Sequence, residues 1–205
     1  MYKYPVIVFE GIETSGKTTN INKVSSYLSK INRKFIKIRE PGGTIYSEVI
    51  RKLILNKKSK FNFKTDLMLI MASRSENIDK LLKKNFGKKI ILIDRFIDST
   101  LAYQHYGMGI DLNLINKLNN FILDRFNPTF TFLNIVNKKN MKIRLKKRNS
   151  LNKYDKFNYS FYDKVQKGFL KLTKKQNNYL IIDSNKNNIE VNYQIIIKRI
   201  KKLIS

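Results

Sequence analysis

Short apolar runs alternate with longer amphipathic segments along the whole chain. Runs rich in β-branched and aromatic residues predict buried strands at 5–10, 34–39, 89–94, 129–136 and 179–183. Apolar residues at three- and four-residue spacing predict helices from Lys17 and at 46–56, 65–86, 111–124, 138–148, 159–176 and 189–204. This alternation favours an α/β fold with three layers, in which a five-stranded parallel sheet lies between helices.

Two details of the pattern concern helix boundaries. For the helix at 65–86, Thr65 or Asp66 is the expected N-cap, and Gly87 is the expected stop. The helix at 138–148 would place Arg144 and Arg148 on one face, because residues four positions apart are neighbours on a helix.

Length and composition narrow the class of protein. A chain of 205 residues with 42% apolar residues is expected to form one domain, 1–205, with a packed core. No apolar run reaches the length of a membrane span, and the N-terminus resembles neither a secretory signal nor a transit peptide. The sequence contains no cysteine, which excludes disulfides and zinc-thiolate sites. We therefore expect a cytoplasmic protein without a membrane partner.

The net charge is strongly positive, with 42 Lys+Arg against 15 Asp+Glu, or +27. Such a charge is typical of nucleic-acid-binding proteins. Here 33 of the basic residues are lysines spread along the chain and 9 are arginines, whereas surfaces that bind phosphate backbones usually cluster their charge. We therefore expect no specific nucleic-acid partner.

A glycine motif between the first strand and the first helix carries the clearest chemistry. Its eight residues match G-x-x-x-x-G-K-[ST] and are Gly11, Ile12, Glu13, Thr14, Ser15, Gly16, Lys17 and Thr18. Backbone amides of such a loop surround phosphates, the lysine reaches the β- and γ-oxygens, and the hydroxyl coordinates magnesium. The motif predicts binding of a nucleoside triphosphate with Mg²⁺. On its own it leaves ATPases, GTPases and small-molecule kinases open.

Three further segments narrow these classes. They are Arg39-Glu-Pro-Gly-Gly-Thr44, Asp94-Arg-Phe-Ile-Asp-Ser-Thr-Leu-Ala-Tyr-Gln104, and Arg74 in Met-Ala-Ser-Arg. Together with the glycine loop they resemble the thymidylate kinase family, which phosphorylates dTMP to dTDP with ATP. The resemblance extends over essentially the whole chain. It implies a P-loop NTPase fold with a mobile helical lid at about 140–157, and a homodimer.

The resemblance also implies roles around the phosphates. Asp94 would help Thr18 to hold Mg²⁺, and Arg95 would lie between the donor and acceptor phosphates. Arg39 and Arg51 are candidates for binding the acceptor phosphate. In the lid, Arg144 and Arg148 are the favoured pair for neutralising the transferring group, because the glycine loop itself has no basic residue before Lys17.

A second set of roles concerns the nucleoside. By resemblance, Arg74 contacts the thymine ring, Ile70 covers it where the family usually has an aromatic residue, and Thr100 and Gln104 face the base or sugar. Tyr103 would exclude a ribose 2′-hydroxyl, and Glu13 would approach the deoxyribose 3′-hydroxyl. The acceptor phosphate needs no general base, so Lys17, Asp94 and the arginines would act by alignment and electrostatics.

Two alternatives remain open on the sequence. One is another nucleotide or deoxynucleoside kinase of the same fold. The other is a basic nucleic-acid-binding protein that has kept the fold. We also expect the peptide bond between Glu40 and Pro41 to be cis, because it follows a strand and leads into a Gly-Gly turn.

Overall fold

The structure, a computed structural model, describes residues 2–174 and 176–204. Within these ranges one parallel sheet contains five strands in the order β2-β3-β1-β4-β5. The strands are β1 Val6–Glu10, β2 Phe35–Arg39, β3 Ile90–Asp94, β4 Phe130–Ile135 and β5 Tyr179–Asp183. The predicted α/β fold with a five-stranded parallel sheet is confirmed.

Helices connect the strands and cover both faces of the sheet. They are α1 Lys17–Lys30, α2 Ile45–Leu55, α3 Phe63–Asn77, α4 Lys83–Asn85, α5 Ile97–Thr100, α6 Leu112–Leu123, α7 Lys138–Lys146, α8 Tyr159–Thr173 and α9 Ile189–Ile204. Two π-helical segments, Ile78–Leu82 and Leu101–Gly107, continue α3 and α5, and a short 3₁₀ turn occupies Tyr154–Lys156. In the described ranges, no helix combines the length and the apolar character that a membrane crossing requires.

The alternation of side chains along β1 divides the core. Ile7 and Phe9 pack on one face with α1 and α9. Val6 and Val8 point to the other face, where Phe96 and the π-helical segment after α3 lie. Glu10 continues the same alternation, so its side chain lies on the second face. It is 1% exposed, so this face of the core contains a buried carboxylate.

The helix predicted at 65–86 begins earlier and is less regular than expected. It starts at Phe63 because the Asn62 side chain accepts a hydrogen bond from the Thr65 amide at 2.9 Å, so neither Thr65 nor Asp66 is the cap. Its C-terminal part is the first π-helical segment followed by α4, and Gly87 comes next with a φ of 70°.

Other boundaries also differ from the prediction. Helix α7 ends at Lys146, so Arg148 lies beyond it, and the expectation that Arg144 and Arg148 share one helical face was wrong. Helix α8 ends at Thr173, and part of the predicted 159–176 helix, Lys175, lies outside the described residues. The apolar pattern did not predict the helical stretch 97–107. Its N-cap residue, Phe96, has no acceptor side chain that would mark the start of a helix.

The π-helical segment Leu101–Gly107 packs closely on α8 through two glycines. A Cβ atom on Gly107 would lie 2.7 Å from the Phe161 ring, and one on Gly168 would lie 2.6 Å from the Tyr106 ring. Such distances are far below van der Waals contact. The glycines therefore set how near α8 approaches the segment that carries Tyr103 and Gln104.

We expect Gly168→Ala to destabilise the protein by about 1–3 kcal/mol, because overpacking outweighs the roughly 1 kcal/mol that alanine gains in helix propensity. Urea unfolding followed by circular dichroism measures the change. Lys164→Ala, an exposed position in the same helix, is the control and should change stability by less than about 0.5 kcal/mol. A Gly168→Ala protein as stable as the control would show that the two segments are not in close contact.

Candidate active site

The glycine loop 11–18 joins β1 to the N-terminus of α1. Gly11 and Gly16 have φ values of 136° and 100°, a region that residues with a Cβ rarely adopt. A Cβ on Gly11 would lie 2.1 Å from the carbonyl oxygen of Asn134 on β4, so no larger residue fits. The first turn of α1 contains no acidic residue. The loop and helix N-terminus together form an arrangement that binds anions such as phosphate.

Lys17 is buried inside this loop. Its ammonium donates to the carbonyl oxygens of Gly11 at 2.9 Å and Ile12 at 2.7 Å. Burial, and next the nearby charge of Arg95, lowers the pKa of Lys17 to about 7. A phosphate bound in the loop would favour the charged form again, so Lys17 is placed to contribute its charge when an anion arrives.

Thr18 and Asp94 bring oxygen ligands together beside the loop. The Thr18 hydroxyl lies 3.3 Å from Asp94 Oδ2. The other carboxylate oxygen, Oδ1, is buried and has no hydrogen-bond partner among the described residues. Hydroxyl and carboxylate oxygens are ligands that Mg²⁺ prefers, and Mg²⁺ often takes only one or two of them from a protein. The pair therefore fits a magnesium ion that also binds substrate phosphates.

Arg95 lies between the glycine loop and the helical stretch 97–107. Its guanidinium donates to the carbonyl oxygen of Gly11 at 2.9 Å and to Glu13 Oε1 at 2.9 Å, and it faces the Tyr103 ring at 5.2 Å from the centroid. The Tyr103 hydroxyl donates a short hydrogen bond to Glu13. The structure thus brings together three residues that the sequence assigned to the phosphates and the sugar.

Two more arginines face the same space from β2 and α2. Arg51 donates to the carbonyl oxygen of Pro41 at 2.6 Å, and Arg39 lies 3.5 Å from Glu48. Burial, and next the charge of Arg39, lowers the pKa of Arg51 to about 10, with Arg95 contributing in the same direction. An anion among these cations would relieve their repulsion. The peptide bond before Pro41 is cis, which confirms the prediction.

Arg74 is 1% exposed and forms a buried ion pair with Glu40 at 2.8 Å. It also donates at 2.9 Å to Asn119 Oδ1, to the carbonyl oxygen of Phe96 and to Thr100 Oγ1. The guanidinium borders the cavity but is directed at protein acceptors. Arg74 therefore links Glu40, which follows β2, to the start of the helical stretch 97–107. Its direct contact with a base stays a prediction.

The inner end of the cavity is largely apolar with a few polar groups. Ile70 is 9% exposed, and both Thr100 and Gln104 are 1% exposed. Thr100 Oγ1 accepts from Arg74, which leaves the hydroxyl proton of Thr100 available for another acceptor. The Gln104 amide has only long contacts, among them 3.5 Å to the Tyr154 hydroxyl. These groups can still form strong hydrogen bonds with a ligand.

The two arginines of the predicted lid have different surroundings. Arg144 donates to the carbonyl oxygens of Thr14 and Ser184, both at 3.0 Å, so it joins the glycine loop to the segment after β5. Arg148 forms a short ion pair with Asp155, whose side chain is fully buried. Both arginines border the cavity. Arg144 thus lies at the glycine loop, whereas Arg148 is held by Asp155.

Most of these groups border one cavity of 920 Å³ at the carboxyl ends of the strands. Nearly every site residue that the sequence predicted lines it, from Glu13 to Thr18 in the loop to Arg144 and Arg148. Gly11 and Ile12 do not line it, because they form the buried base of the loop. Ligands of open α/β sheets bind at this edge.

The sequence analysis gave no role to some charged groups that are buried near the site. Glu10 ends an otherwise apolar run, which was a signal, since a buried strand seldom carries an acid without a partner. Lys153 forms an ion pair of 2.7 Å with the buried carboxylate of Asp66 on α3. Nothing in the local sequence links two residues 87 positions apart.

A family model described as thymidylate kinase matches residues 9–196. The chain belongs to the thymidylate kinase family. The thymidylate kinase of Thermosipho africanus is 38% identical over 88% of this chain and 90% of its own length. That of a Sulfurihydrogenibium species is 37% identical over 96% of both chains. These relatives confirm the family that the sequence motifs indicated.

A solved structure confirms the fold of this thymidylate kinase family member. The crystal structure of thymidylate kinase from Ehrlichia chaffeensis is 34% identical in sequence and aligns with a TM-score of 0.78. The alignment covers 97% of this chain and 98% of the other.

We expect Arg74→Met to cost about 3–5 kcal/mol of unfolding free energy, because the buried Glu40 carboxylate loses its partner. The double variant Glu40→Gln/Arg74→Met should lose less, since it leaves no unpaired buried charge. Urea unfolding without nucleotide measures both. Arg125→Met, at an exposed arginine, serves as the control and should stay within about 0.5 kcal/mol of the wild type. Equal effects of Arg74→Met and the control would contradict the buried ion pair.

Proposed function

We propose that this protein is a thymidylate kinase, which transfers the γ-phosphoryl group of ATP to dTMP and releases dTDP and ADP. The observation that carries the proposal is the position of Arg95. Arg95 contacts the glycine loop at Gly11 and borders the same cavity as Arg39, Arg51 and Thr100. Family membership supports the choice of dTMP as the acceptor.

The proposed reaction depends on alignment and on positive charge. Lys17 and the loop amides hold the donor phosphates, while Arg39 and Arg51 hold the acceptor phosphate. Arg95, which contacts the loop at Gly11, would neutralise the group in transfer. The acceptor phosphate oxygen is already a nucleophile, so no general base is needed, and positioning supplies much of the rate.

Magnesium fits this proposal because Thr18 and Asp94 offer a hydroxyl and an unpaired carboxylate oxygen. When bound, Mg²⁺ would neutralise charge on the donor phosphates. Thr18 and Asp94 would fix the ion's position relative to Lys17, so that the donor phosphates bind in one orientation.

The inner pocket would select the nucleoside. The available Thr100 proton suits a carbonyl group at position 4 of a pyrimidine, and Gln104 lies one helical turn further. Ile70 covers the ring by dispersion contacts. Tyr103 and Glu13, joined by their hydrogen bond, would leave no room for a 2′-hydroxyl and would meet the 3′-hydroxyl of deoxyribose.

Residues 140–157 would form the lid of this single domain, 1–205. Lys153 attaches this lid to helices α2 and α3. Its side chain binds Asp66, and its amide donates to the carbonyl oxygen of Leu55 at 3.2 Å. Arg144 and Arg148 would approach the phosphates as the lid closes and excludes water. The nucleotide substrates suit the cytoplasmic location expected from the sequence.

The direct test is ADP release by the purified protein with Mg-ATP and dTMP, dUMP, dCMP, AMP, GMP or no acceptor. We expect turnover with dTMP, slower turnover with dUMP, and none after chelation of magnesium. Arg95→Ala should lower kcat about 10³-fold, the scale of an arginine that neutralises a transferring phosphoryl group. Arg125→Ala, at an exposed arginine far along the chain, is the matched control.

Other outcomes have definite meanings. Turnover with another monophosphate would keep the mechanism and replace dTMP as the substrate. No acceptor-dependent turnover, together with salt-sensitive binding of DNA or RNA, would overturn the proposal in favour of a nucleic-acid-binding protein.

We further infer that the protein is a homodimer, as the family resemblance led us to expect. Helices α2, α3 and α6 lie side by side and expose apolar side chains at helical spacing, among them Ile45, Val49, Met68, Leu114 and Phe121. Ile45 is 83% exposed and Phe121 is 84% exposed. A second copy of this face would cover both, because a twofold interface pairs one patch with itself.

We expect Phe121→Glu to convert the dimer to a monomer, because it places two charges in an apolar interface. Light scattering after size exclusion should give twice 24.3 kDa for the wild type and 24.3 kDa for the variant. Val191→Glu, at an exposed apolar residue of α9, should leave the dimer intact. A monomeric wild type, or a Phe121→Glu dimer, would contradict this interface.

A further inference from the structure

Glu10 is a buried carboxylate to which the proposed reaction gives no role. It is the last residue of β1 and is 1% exposed. Burial, and next the neighbouring carboxylate of Asp98, raises the pKa of Glu10 to about 7. A charged group that is buried at such a cost is expected to have specific partners, and its position beside the cavity makes them informative.

The partners of Glu10 are donors at the start of the helical stretch 97–107. Glu10 Oε1 accepts from the Phe96 amide at 2.8 Å and from the Ser99 amide at 3.2 Å, and Oε2 accepts from the Ser99 hydroxyl at 2.5 Å. The N-cap residue of this helix, Phe96, has no side-chain acceptor. Glu10, at the end of β1, therefore caps the N-terminus of α5. It precedes Phe96 by 86 positions in the chain.

This cap lies directly after a strained residue. Arg95 has a φ of 68°, which is uncommon for a residue with a long side chain and is kept only where neighbouring contacts hold it. Its own amide donates to the carbonyl oxygen of Phe9 at 3.0 Å. The next amide, that of Phe96, donates to Glu10. Two consecutive residues at the end of β1 thus hold the backbone on both sides of the Arg95 α-carbon.

The strained backbone determines where the Arg95 guanidinium lies. In this conformation it reaches Gly11 and Glu13 in the neighbouring loop. The same helix start also fixes Thr100 and Tyr103, which follow within two turns. If the cap were lost, the strain at Arg95 could relax, and the guanidinium would no longer have a fixed position.

We propose that Glu10 is a positioning residue, which holds Arg95 in the strained conformation that places its guanidinium between the donor and acceptor phosphates. The proposal rests on the proposed kinase function. Glu10 is not among the residues that line the cavity. Asp98, which accepts a hydrogen bond from the Tyr179 hydroxyl at 2.6 Å, anchors the same turn to β5 and leaves Glu10 as the group that binds the amides.

The test is a double-mutant cycle between Glu10 and Arg95. We expect Glu10→Ala to lower kcat about 100-fold and Glu10→Gln about 10-fold or less, because glutamine keeps an acceptor for the two amides. The KM for ATP should change less than about threefold. With Arg95→Ala present, either change at Glu10 should alter kcat by less than about threefold, since residues that act through one another are not additive.

A matched control removes a carboxylate cap from a helix without a proposed catalytic group. Asp111 caps α6 by accepting from the Leu114 amide at 2.8 Å. Asp111→Ala should keep kcat within about twofold of the wild type. A purely structural role of Glu10 would instead give losses that multiply with those of Arg95→Ala, and this result would overturn the proposal.

Hydrogen exchange provides a measurement that does not depend on activity. In Glu10→Ala, the amides of Phe96 and Ser99 should exchange at least about 10-fold faster, while those of α1 stay unchanged. Unchanged exchange at both amides, or a kcat within twofold of the wild type for Glu10→Ala, would also overturn the proposal. A wild-type protein that does not phosphorylate dTMP would refute the proposed function, whereas the exchange result would still report on the cap.

Discussion

The parallel pairing of β1 with β3 is the constraint on which the rest of the site depends. Phe9 pairs with Asp94, so the glycine loop and the Asp94–Arg95 turn leave neighbouring strands at the same edge of the sheet. Both strands are buried on both faces, and a slip of one residue would exchange the faces of every side chain. The register therefore fixes the distance between the glycine loop and the Asp94–Arg95 turn.

Buried polar contacts then extend this order from the sheet to the acceptor side. Arg74 donates hydrogen bonds to the Phe96 carbonyl oxygen, to Thr100 and to Glu40, which precedes Pro41. A buried ion pair gains little stability by itself, because desolvation opposes the attraction. Its effect here is geometric, since four hydrogen bonds at fixed angles hold three segments of chain around one cavity. We infer that this explains why the Arg74 guanidinium, although it borders the cavity, is directed at protein acceptors.

The sequence predicted the parts of the site that depend on local order. The glycine loop follows a recognisable strand and opens a helix, and Asp94 follows the most apolar strand, so both could be placed at one edge of the sheet. The cap that Glu10 provides could not be predicted, since its partner is 86 positions away. The apolar pattern also did not predict the π-helical segment Leu101–Gly107. This segment is held by packing against α8, and no side chain caps its N-terminus.

The distribution of basic residues separates the site from the general charge of the protein. Six of the nine arginines border the cavity, namely Arg39, Arg51, Arg74, Arg95, Arg144 and Arg148. Of the 33 lysines, Lys17 alone borders it among the described residues. Guanidinium groups bind phosphoryl oxygens in pairs and stay charged when buried, whereas lysine is a hydrated point charge. The excess of lysine therefore lies outside the cavity, and the chemistry of the site follows from the few arginines.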